Sequence, residues 1–175
     1  MIHPRNAALT ASTATVLLTT ATVLTMPAAH ADQDNTLIPN NSRLNKSVVS
    51  NVYTMQRRAG CPNTTLNVSP QLQLAAQWHT DDVLNNRDLD GDIGSDGSSP
   101  QDRARAAGFN GKVDETVAIN PALAISGIEL INMWYYDPND SAIMSDCANT
   151  LIGVWSENSL DRTVVVAVYG RPPSQ

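Results

Sequence analysis

The chain has 175 residues, with 11 Lys and Arg against 17 Asp and Glu, which gives a formal net charge of −6 at pH 7. This acidic balance excludes nucleic acid and anionic membrane surfaces as electrostatic partners, because both require a basic face on the protein.

The N-terminal segment resembles a secretory signal. It carries Arg5, continues through a long apolar run and ends in "PAAHA", whose Ala29 and Ala31 fit the small-residue rule for signal peptidase. We therefore expect residues 1–31 to be a signal peptide, the protein to be secreted and extracellular, and no membrane span to remain after cleavage. The remaining 144 residues suit one domain and carry a net charge of −7, since the signal contains Arg5 and no acid.

Residues 32–41 form a polar stretch without periodicity, which predicts a flexible leader. Apolar residues at helical spacing then predict a first helix that a serine caps and a glycine ends. The residues that carry this prediction are Ser42, Leu44, Val48, Val52, Met55 and Gly60.

Two Ser-Pro pairs predict the next helices, because serine caps a helix and proline is tolerated at its first position. Ser69 opens a helix that presents one apolar face, and Ser99 opens a short one that ends at Gly108. The predicted face consists of Leu72, Ala75, Ala76, His79 and Val83.

A fourth helix is predicted to begin at Pro121 and to run through "PALAISGIELINMWYY", which is apolar on nearly all sides and therefore buried. Its aromatic residues Trp134, Tyr135 and Tyr136 either complete the core, which this apolar helix favours, or line a lipid pocket. Asp137 and Pro138 open a further short helical turn.

The last segment changes to strand character. "TLIGVW" and "TVVVAVY" are β-branched runs joined by the polar "SENSLDR", which predicts an antiparallel hairpin. The continuous apolar second run predicts a strand that is covered on both faces. The chain is therefore predicted to be an α+β domain of helices packed on a small sheet.

The cysteine and histidine counts limit the chemistry of the exported chain. Cys61 and Cys147 are expected to form a disulfide, because the chain is addressed to an oxidising compartment and contains no CxxC motif. His3 and His30 leave with the signal, so His79 is the sole remaining histidine. No site that needs two imidazoles can therefore form.

The order of motifs resembles a known family. "RRAGCP", "LAAQWHTDDVLNN", "GSDGSSPQDRARAAGF", "DETVAIN", "MWYYDPND" and "VVVAVYG" occur in the order typical of the CAP superfamily, which comprises cysteine-rich secretory, sperm-coating and pathogenesis-related-like domains. The resemblance is to its bacterial secreted branch and covers residues 42–172, followed by a tail at 173–175. It implies a three-layer α-β-α sandwich with a small antiparallel sheet.

Members of this family commonly carry a cleft of two histidines and two acids that can hold a divalent metal such as zinc. Several members bind sterols or fatty acids, and no general enzymatic activity unites them. In this chain the first cleft histidine is replaced at Gly91 and Asp92, and the final one by Asp140. The family's acids fall on Glu115 and Asp137, so both cleft histidines are missing.

Each cleft candidate also has a structural interpretation. Glu115 is either a cleft ligand or a strand-end carboxylate paired with an arginine, and the second is favoured. Asp137 precedes a proline and is favoured as a helix N-cap. If Glu115, Asp137 and Asp140 converge, their oxygen ligands would prefer calcium or magnesium to zinc. His79 is favoured as a buried structural histidine over a catalytic one, because it shares an apolar helical face.

The loop "DLDGDIGSDGSS" resembles an EF-hand in part. Asp88, Asp90, Asp92 and Asp96 fall at places that bind calcium in such a loop. However, the sixth place holds Ile93 instead of glycine and the twelfth holds Ser99 instead of glutamate. A polar turn is therefore favoured over a calcium loop.

We predict a secreted, monomeric, non-enzymatic CAP-like domain with a degenerate metal cleft and no cofactor. It would bind a small amphipathic ligand, such as a lipid or sterol, or a protein partner. One alternative is a hard-cation module that uses the acidic cleft or the aspartate loop. The other is a weak hydrolase that uses His79 as its base, although no G-x-S-x-G motif accompanies it.

Overall fold

The computed structural model describes residues 41–62 and 65–172. The predicted signal peptide, the tail and the leader up to residue 40 lie outside these ranges. The leader was predicted to include Asn41, but this residue begins the first helix. Ser42 consequently lies inside that helix, and its predicted capping role is wrong.

The described residues form five helices and four strands. In chain order they are α1 (Asn41–Arg58), β1 (Asn67–Val68), α2 (Pro70–Asn85), α3 (Pro100–Ala106), β2 (Lys112–Asn120), α4 (Gly127–Tyr136), α5 (Pro138–Ser145), β3 (Leu151–Ser159) and β4 (Arg162–Arg171). The strands make one sheet in the order β1-β3-β4-β2. Strands β2, β3 and β4 pair antiparallel, but β1 pairs parallel with β3. The α+β prediction is confirmed, and the sheet is mixed instead of antiparallel.

The predicted helix boundaries hold for α2 and α3. The Ser69 hydroxyl accepts a hydrogen bond from the backbone N–H of Leu72, and Ser99 forms a capping box with Asp102. These contacts satisfy N–H groups that the first turn of a helix leaves unpaired. Gly108 follows α3 with a φ of 89°, a conformation that favours glycine.

The predicted fourth helix differs from the structure in its start and in its burial. Strand β2 extends through Asn120, and α4 begins at Gly127 because Ser126 and Glu129 form a capping box. Within α4, Leu130 and Trp134 are buried, whereas most other apolar side chains are exposed. The prediction of a helix buried on all sides is therefore wrong.

The C-terminal hairpin is confirmed, although its strands are longer than predicted. Most of the polar "SENSLDR" segment belongs to β3 and β4, and the turn contains Leu160 and Asp161. Nine of the ten residues of β4 are buried. This burial agrees with the expectation of a strand covered on both faces.

The helices cover the sheet on both sides and create two apolar cores. One core joins α1, α4 and α5 to side chains such as Ala167 and Tyr169 of β4. The other joins α2 and α3 to the alternate β4 residues, including Val166 and Val168. These two surfaces are called the α1/α4/α5 face and the α2/α3 face below.

Two contacts fix helices against this sheet. Helix α2 approaches β3 so closely at Gly153 that an added Cβ would lie 2.1 Å from the α2 backbone. On the opposite face, a disulfide joins Cys61, which follows α1, to Cys147, which follows α5. The predicted disulfide is therefore confirmed.

Candidate functional site

Three charged or titratable side chains meet beneath α2 and α3. Oε1 of Glu115 on β2 lies 2.7 Å from Nδ1 of His79 on α2 and 2.9 Å from Nη2 of Arg103 on α3. His79 has no exposed surface, and Glu115 and Arg103 are also buried. We call these three residues the buried ion cluster.

The sheet register directs Glu115 into this cluster. Glu115 pairs with Val168 of β4, whose side chain belongs to the α2/α3 core. Directly opposed residues of neighbouring strands project to the same face of a sheet, so Glu115 points toward His79 and Arg103. Glu115 is the fourth of nine residues in β2. It thus pairs with an arginine, as the favoured interpretation expected, but not at a strand end.

Arg103 connects the cluster to the aspartate loop. Its Nη2 also donates to the backbone oxygen of Asp92 at 2.7 Å, and its Nη1 donates to that of Ser98 at 2.8 Å. A guanidinium group presents several donors in a fixed plane, so a single side chain can bind a carboxylate and two carbonyls. Arg103 is a site residue that the sequence alone did not predict. The one signal that could have indicated it is that a buried carboxylate, such as that of Glu115, needs a cation beside it.

The side chains of His79 and Glu115 are closed to solvent, and the cluster is incompletely hydrogen-bonded. Nε2 of His79, Oε2 of Glu115 and Nε of Arg103 are buried without a hydrogen-bond partner among the described residues. A base must reach the proton that it abstracts, and His79 offers no exposed atom to a substrate. Its placement agrees with the structural interpretation of this histidine.

The neighbouring residue of β2 points to the other face of the sheet. Oγ1 of Thr116 lies 3.1 Å from the phenolic oxygen of Tyr169, which is fully buried in the α1/α4/α5 core. Burial raises the pKa of Tyr169 above its usual value. Asp140 on α5 faces this region, where burial and the nearby charge of Asp137 raise its pKa to about 6.

The three predicted cleft acids do not converge. Glu115 points to the α2/α3 face, whereas Asp140 lies on α5 near Tyr169 of the α1/α4/α5 face. Oδ1 of Asp137 accepts the backbone N–H groups of Asn139 at 2.8 Å and Asp140 at 3.0 Å, and so caps α5. The structure therefore does not bring these three acids into one cleft.

The donor set also does not fit the divalent metal that the resemblance implies. Within residues 41–62 and 65–172, no group of three or more His, Cys, Asp and Glu side chains is placed to hold a metal ion. A tetrahedral zinc site requires three or four such ligands. The carboxylate of Glu115 instead faces the guanidinium group of Arg103.

The aspartate loop is a polar turn held by its own hydrogen bonds. Asp88, Asp90, Asp92 and Asp96 are all exposed. Oδ1 of Asp96 accepts the backbone N–H of Ser98, and this hydrogen bonding lowers the pKa of Asp96. Asp82 of α2, which the sequence did not single out, accepts the amide and hydroxyl of Ser95 at 2.7 and 2.6 Å.

The fold has clear counterparts among solved structures. An outer surface protein from Borrelia burgdorferi aligns with a TM-score of 0.63 at 16% identity, over 74% of this chain and 93% of that one. An extracellular protein with an SCP domain from Bacillus anthracis aligns with a TM-score of 0.62 at 14% identity, over 75% of this chain and 41% of that one. A cysteine-rich secretory protein from Staphylococcus aureus aligns with a TM-score of 0.51 at 11% identity, over 75% and 40%.

The described domain has the CAP fold, also called the SCP fold. No protein-family model and no curated protein matches the sequence. The chain spans about two fifths of the Bacillus and Staphylococcus proteins. Among the described helices of this CAP domain, none is long and apolar enough to cross a membrane.

The CAP domain has two further surface features near α4. A cavity of about 370 Å³ lies between α1 and α4, where its walls include Leu44, Ser47, Ile125 and Gly127. Ile128, which follows Gly127 in α4, is 75% exposed. At the other end of α4, Tyr135 and Tyr136 are exposed and contact each other edge to face with ring centroids 5.2 Å apart. Of the predicted aromatic cluster, Trp134 alone completes the core.

Proposed function

We propose that the protein is a secreted, non-enzymatic CAP domain that binds a small amphipathic ligand between α1 and α4. The observation that carries this proposal is the α1/α4 cavity, whose wall residue Gly127 is followed in α4 by the exposed Ile128. The volume of about 370 Å³ lies at the lower end of the range for small-molecule sites, which are concave and mostly apolar. A lipid-like tail would cover Leu44 and Ile125 in the cavity and Ile128 at its rim.

Export is supported by the signal-like N-terminus, by the disulfide between Cys61 and Cys147, and by the surface or extracellular description of the structural neighbours. Disulfides persist in oxidising compartments. The non-enzymatic part rests on the closed position of His79 and on the separation of Glu115 from Asp140 by the sheet. No pair of these groups shares an open site.

The test is retention of labelled fatty acid and labelled sterol by the purified chain from Asp32 onward. The expected result is about one ligand per protein. Ile128→Asp should abolish retention, because a charge at the rim would have to be buried beside an apolar ligand. Ile93→Asp is the matched control, since Ile93 is 50% exposed in the aspartate loop, beside the α2/α3 face, and does not line the cavity. If the chain retains neither ligand, the amphipathic-ligand proposal is wrong.

A second candidate function is binding of a protein partner through the C-terminal end of α4. Tyr135 and Tyr136 favour it, because exposed aromatic side chains are enriched in protein interfaces. Tyr136→Ser and Tyr135→Ser should then weaken capture of that partner and leave lipid retention unchanged. The two candidates are thus separated by variants at opposite ends of one helix.

A further inference from the structure

Strand β3 has an edge that its neighbour β1 covers only in part. Strand β1 pairs with Leu151 and Ile152, whereas β3 continues to Ser159. In the described sheet, whose order is β1-β3-β4-β2, no other strand lies on this side of β3. Exposed strand edges present unpaired N–H and C=O groups that bind a further strand. We call the uncovered part, Val154 to Glu157, the β3 open edge.

A groove of about 440 Å³ runs along the β3 open edge between α1 and α2. Its walls are formed by Asn45 and Val49 of α1, by Gln73 of α2 and by Val68 and Trp155 of the sheet. Val49, Val68 and Trp155 give it an apolar interior with a row of peptide groups at its base. This combination suits an extended peptide, which bonds through its backbone and buries alternate side chains.

The groove begins where the described chain begins. Asn41, the first residue of α1, lines the groove and donates from Nδ2 to the backbone oxygen of Ser156 at 2.9 Å. The residues before Asn41 read "DQDNTLIPN" from Asp32, and their large aliphatic side chains are Leu37 and Ile38. Ile38 is three residues from Asn41, so it must lie within about 11 Å of the groove entrance.

The direction of α1 determines how this segment would enter. Helix α1 runs antiparallel to β3, because Asn41 bonds Ser156 near the end of β3, while Nε2 of Gln56 donates to the backbone oxygen of Asn149 just before its start. A segment that reverses before α1 and lies in the groove therefore runs parallel to β3, as β1 does.

The sequence supplies the reversal that this arrangement needs. Pro39 and Asn40 stand between Ile38 and α1, and proline and asparagine are residues that favour turns. The residue before a proline is biased toward the extended conformation, which suits Ile38 as a strand residue. Pro39 has no N–H to donate, and a proline is tolerated at an edge strand.

We propose that residues 35–38 bind in cis to the β3 open edge as a short parallel strand, with Leu37 and Ile38 covering the apolar groove. The groove is then an intramolecular docking site for the leader, distinct from the α1/α4 cavity. The sheet gains a fifth strand whose chain direction matches β1. The outward-facing backbone groups of β3 other than the Ser156 oxygen, which Asn41 already binds, become hydrogen-bonded.

Amide hydrogen exchange on the chain from Asp32 tests the proposal, because the described residues 41–62 and 65–172 fall in one compact unit. The backbone oxygens of Ile152 and Ser156 both face the open edge, so the N–H of Val154 between them faces it too. We expect this amide to be protected. In the double variant Leu37→Asp with Ile38→Asp, its exchange should be about tenfold faster or more, whereas that of Val166 in β4 stays unchanged.

The matched control is Gln33→Asp with Asn40→Asp, which adds the same charge to the leader outside residues 35–38, since Asp favours a turn as Asn does. It should leave the Val154 amide protected. Equal Val154 exchange in the parent chain and the docking variant would overturn the proposal. A dimer that grows with protein concentration, and that the Leu37 and Ile38 substitutions abolish, would also overturn it, because the leader would then occupy a neighbouring copy.

Discussion

The two faces of the sheet are stabilised in different ways. The α2/α3 face buries an ion cluster, in which Glu115 contacts His79 and Arg103 without access to solvent. The α1/α4/α5 face has an apolar core around Trp134 and Tyr169, a disulfide at its margin and exposed side chains on α4. Under the proposed function, the first face serves stability, while the second retains surface for binding. Variants on each face test this separation.

The largest expected effect is on the α1/α4/α5 face, where Cys61→Ala with Cys147→Ala removes the link between α1 and α5. The two cysteines are 86 residues apart, and opening a loop of this size lowers the free energy of unfolding by about 4–5 kcal/mol in the chain-entropy model. Urea unfolding followed by tryptophan fluorescence measures it. A reducing agent should destabilise the parent chain and leave this variant unaffected; a similar loss in both would contradict the prediction.

On the α2/α3 face, Glu115→Ala should lower the free energy of unfolding by about 3–4 kcal/mol. The substitution leaves the buried guanidinium group of Arg103 without its carboxylate partner, and an unpaired buried charge is strongly destabilising. Urea titration provides the measurement. Asp114→Ala is the control, because Asp114 is adjacent in β2 but makes a half-exposed ion pair with Arg171, which contributes at most about 1 kcal/mol. Equal losses would show that burial of the cluster is unimportant.

The local sequence was sufficient to predict most elements of this fold. The predicted caps Ser69, Ser99 and Asp137 are confirmed, because a hydroxyl or carboxylate before a proline acts within one helical turn. The predicted start of α4 is wrong, because Asn120 and Pro121 resemble the start of a helix. Pairing with β4 extends β2 through Asn120, and the stronger capping box at Ser126 starts the helix.

The candidate site was harder to predict, because it depends on which way each β2 side chain points. The resemblance to the CAP family left open whether Glu115 shares a cleft with Asp137 and Asp140. The two-residue repeat of a strand assigns Glu115 and Thr116 to opposite faces of the sheet. The face to which Glu115 points is set by the register of β2 against β4, and no local pattern around Glu115 encodes that register. The same holds for Arg103, whose partners lie 5 to 12 residues away along the chain.

A smaller effect is expected at the start of α5. Asp137→Ala should lower the free energy of unfolding by about 1 kcal/mol, because the carboxylate accepts two backbone N–H groups of the first turn. Chemical denaturation at pH 7 measures the change. Asp137→Asn keeps an accepting oxygen and should lose only a fraction of this amount. If the two variants lose equal stability, charge is responsible instead of capping.

The smallest expected effect depends on pH and concerns Asp140, the half-buried aspartate of α5. Burial and Asp137 raise the pKa of Asp140 from its usual 3.8 to about 6, so the folded state binds this proton more tightly than the unfolded state. The native chain therefore loses stability as pH rises from about 4 to about 6, and the penalty is complete above that range. Below pH 4 the carboxyl group is protonated in both states and has no effect.

Asp140→Asn removes this titration and should stabilise the protein above pH 6 by less than about 1 kcal/mol, because the side chain is partly exposed and solvent screens its charge. The gain should vanish near pH 4, and unfolding midpoints in urea from pH 4 to 7 measure it. Asp96→Asn gives the opposite sign, since hydrogen bonds from Ser98 lower the pKa of Asp96 and stabilise its charged form. Parallel pH profiles for the parent chain and Asp140→Asn would mean that the α1/α4/α5 face admits water freely at Asp140, and that Asp140 is as solvated as the aspartate loop.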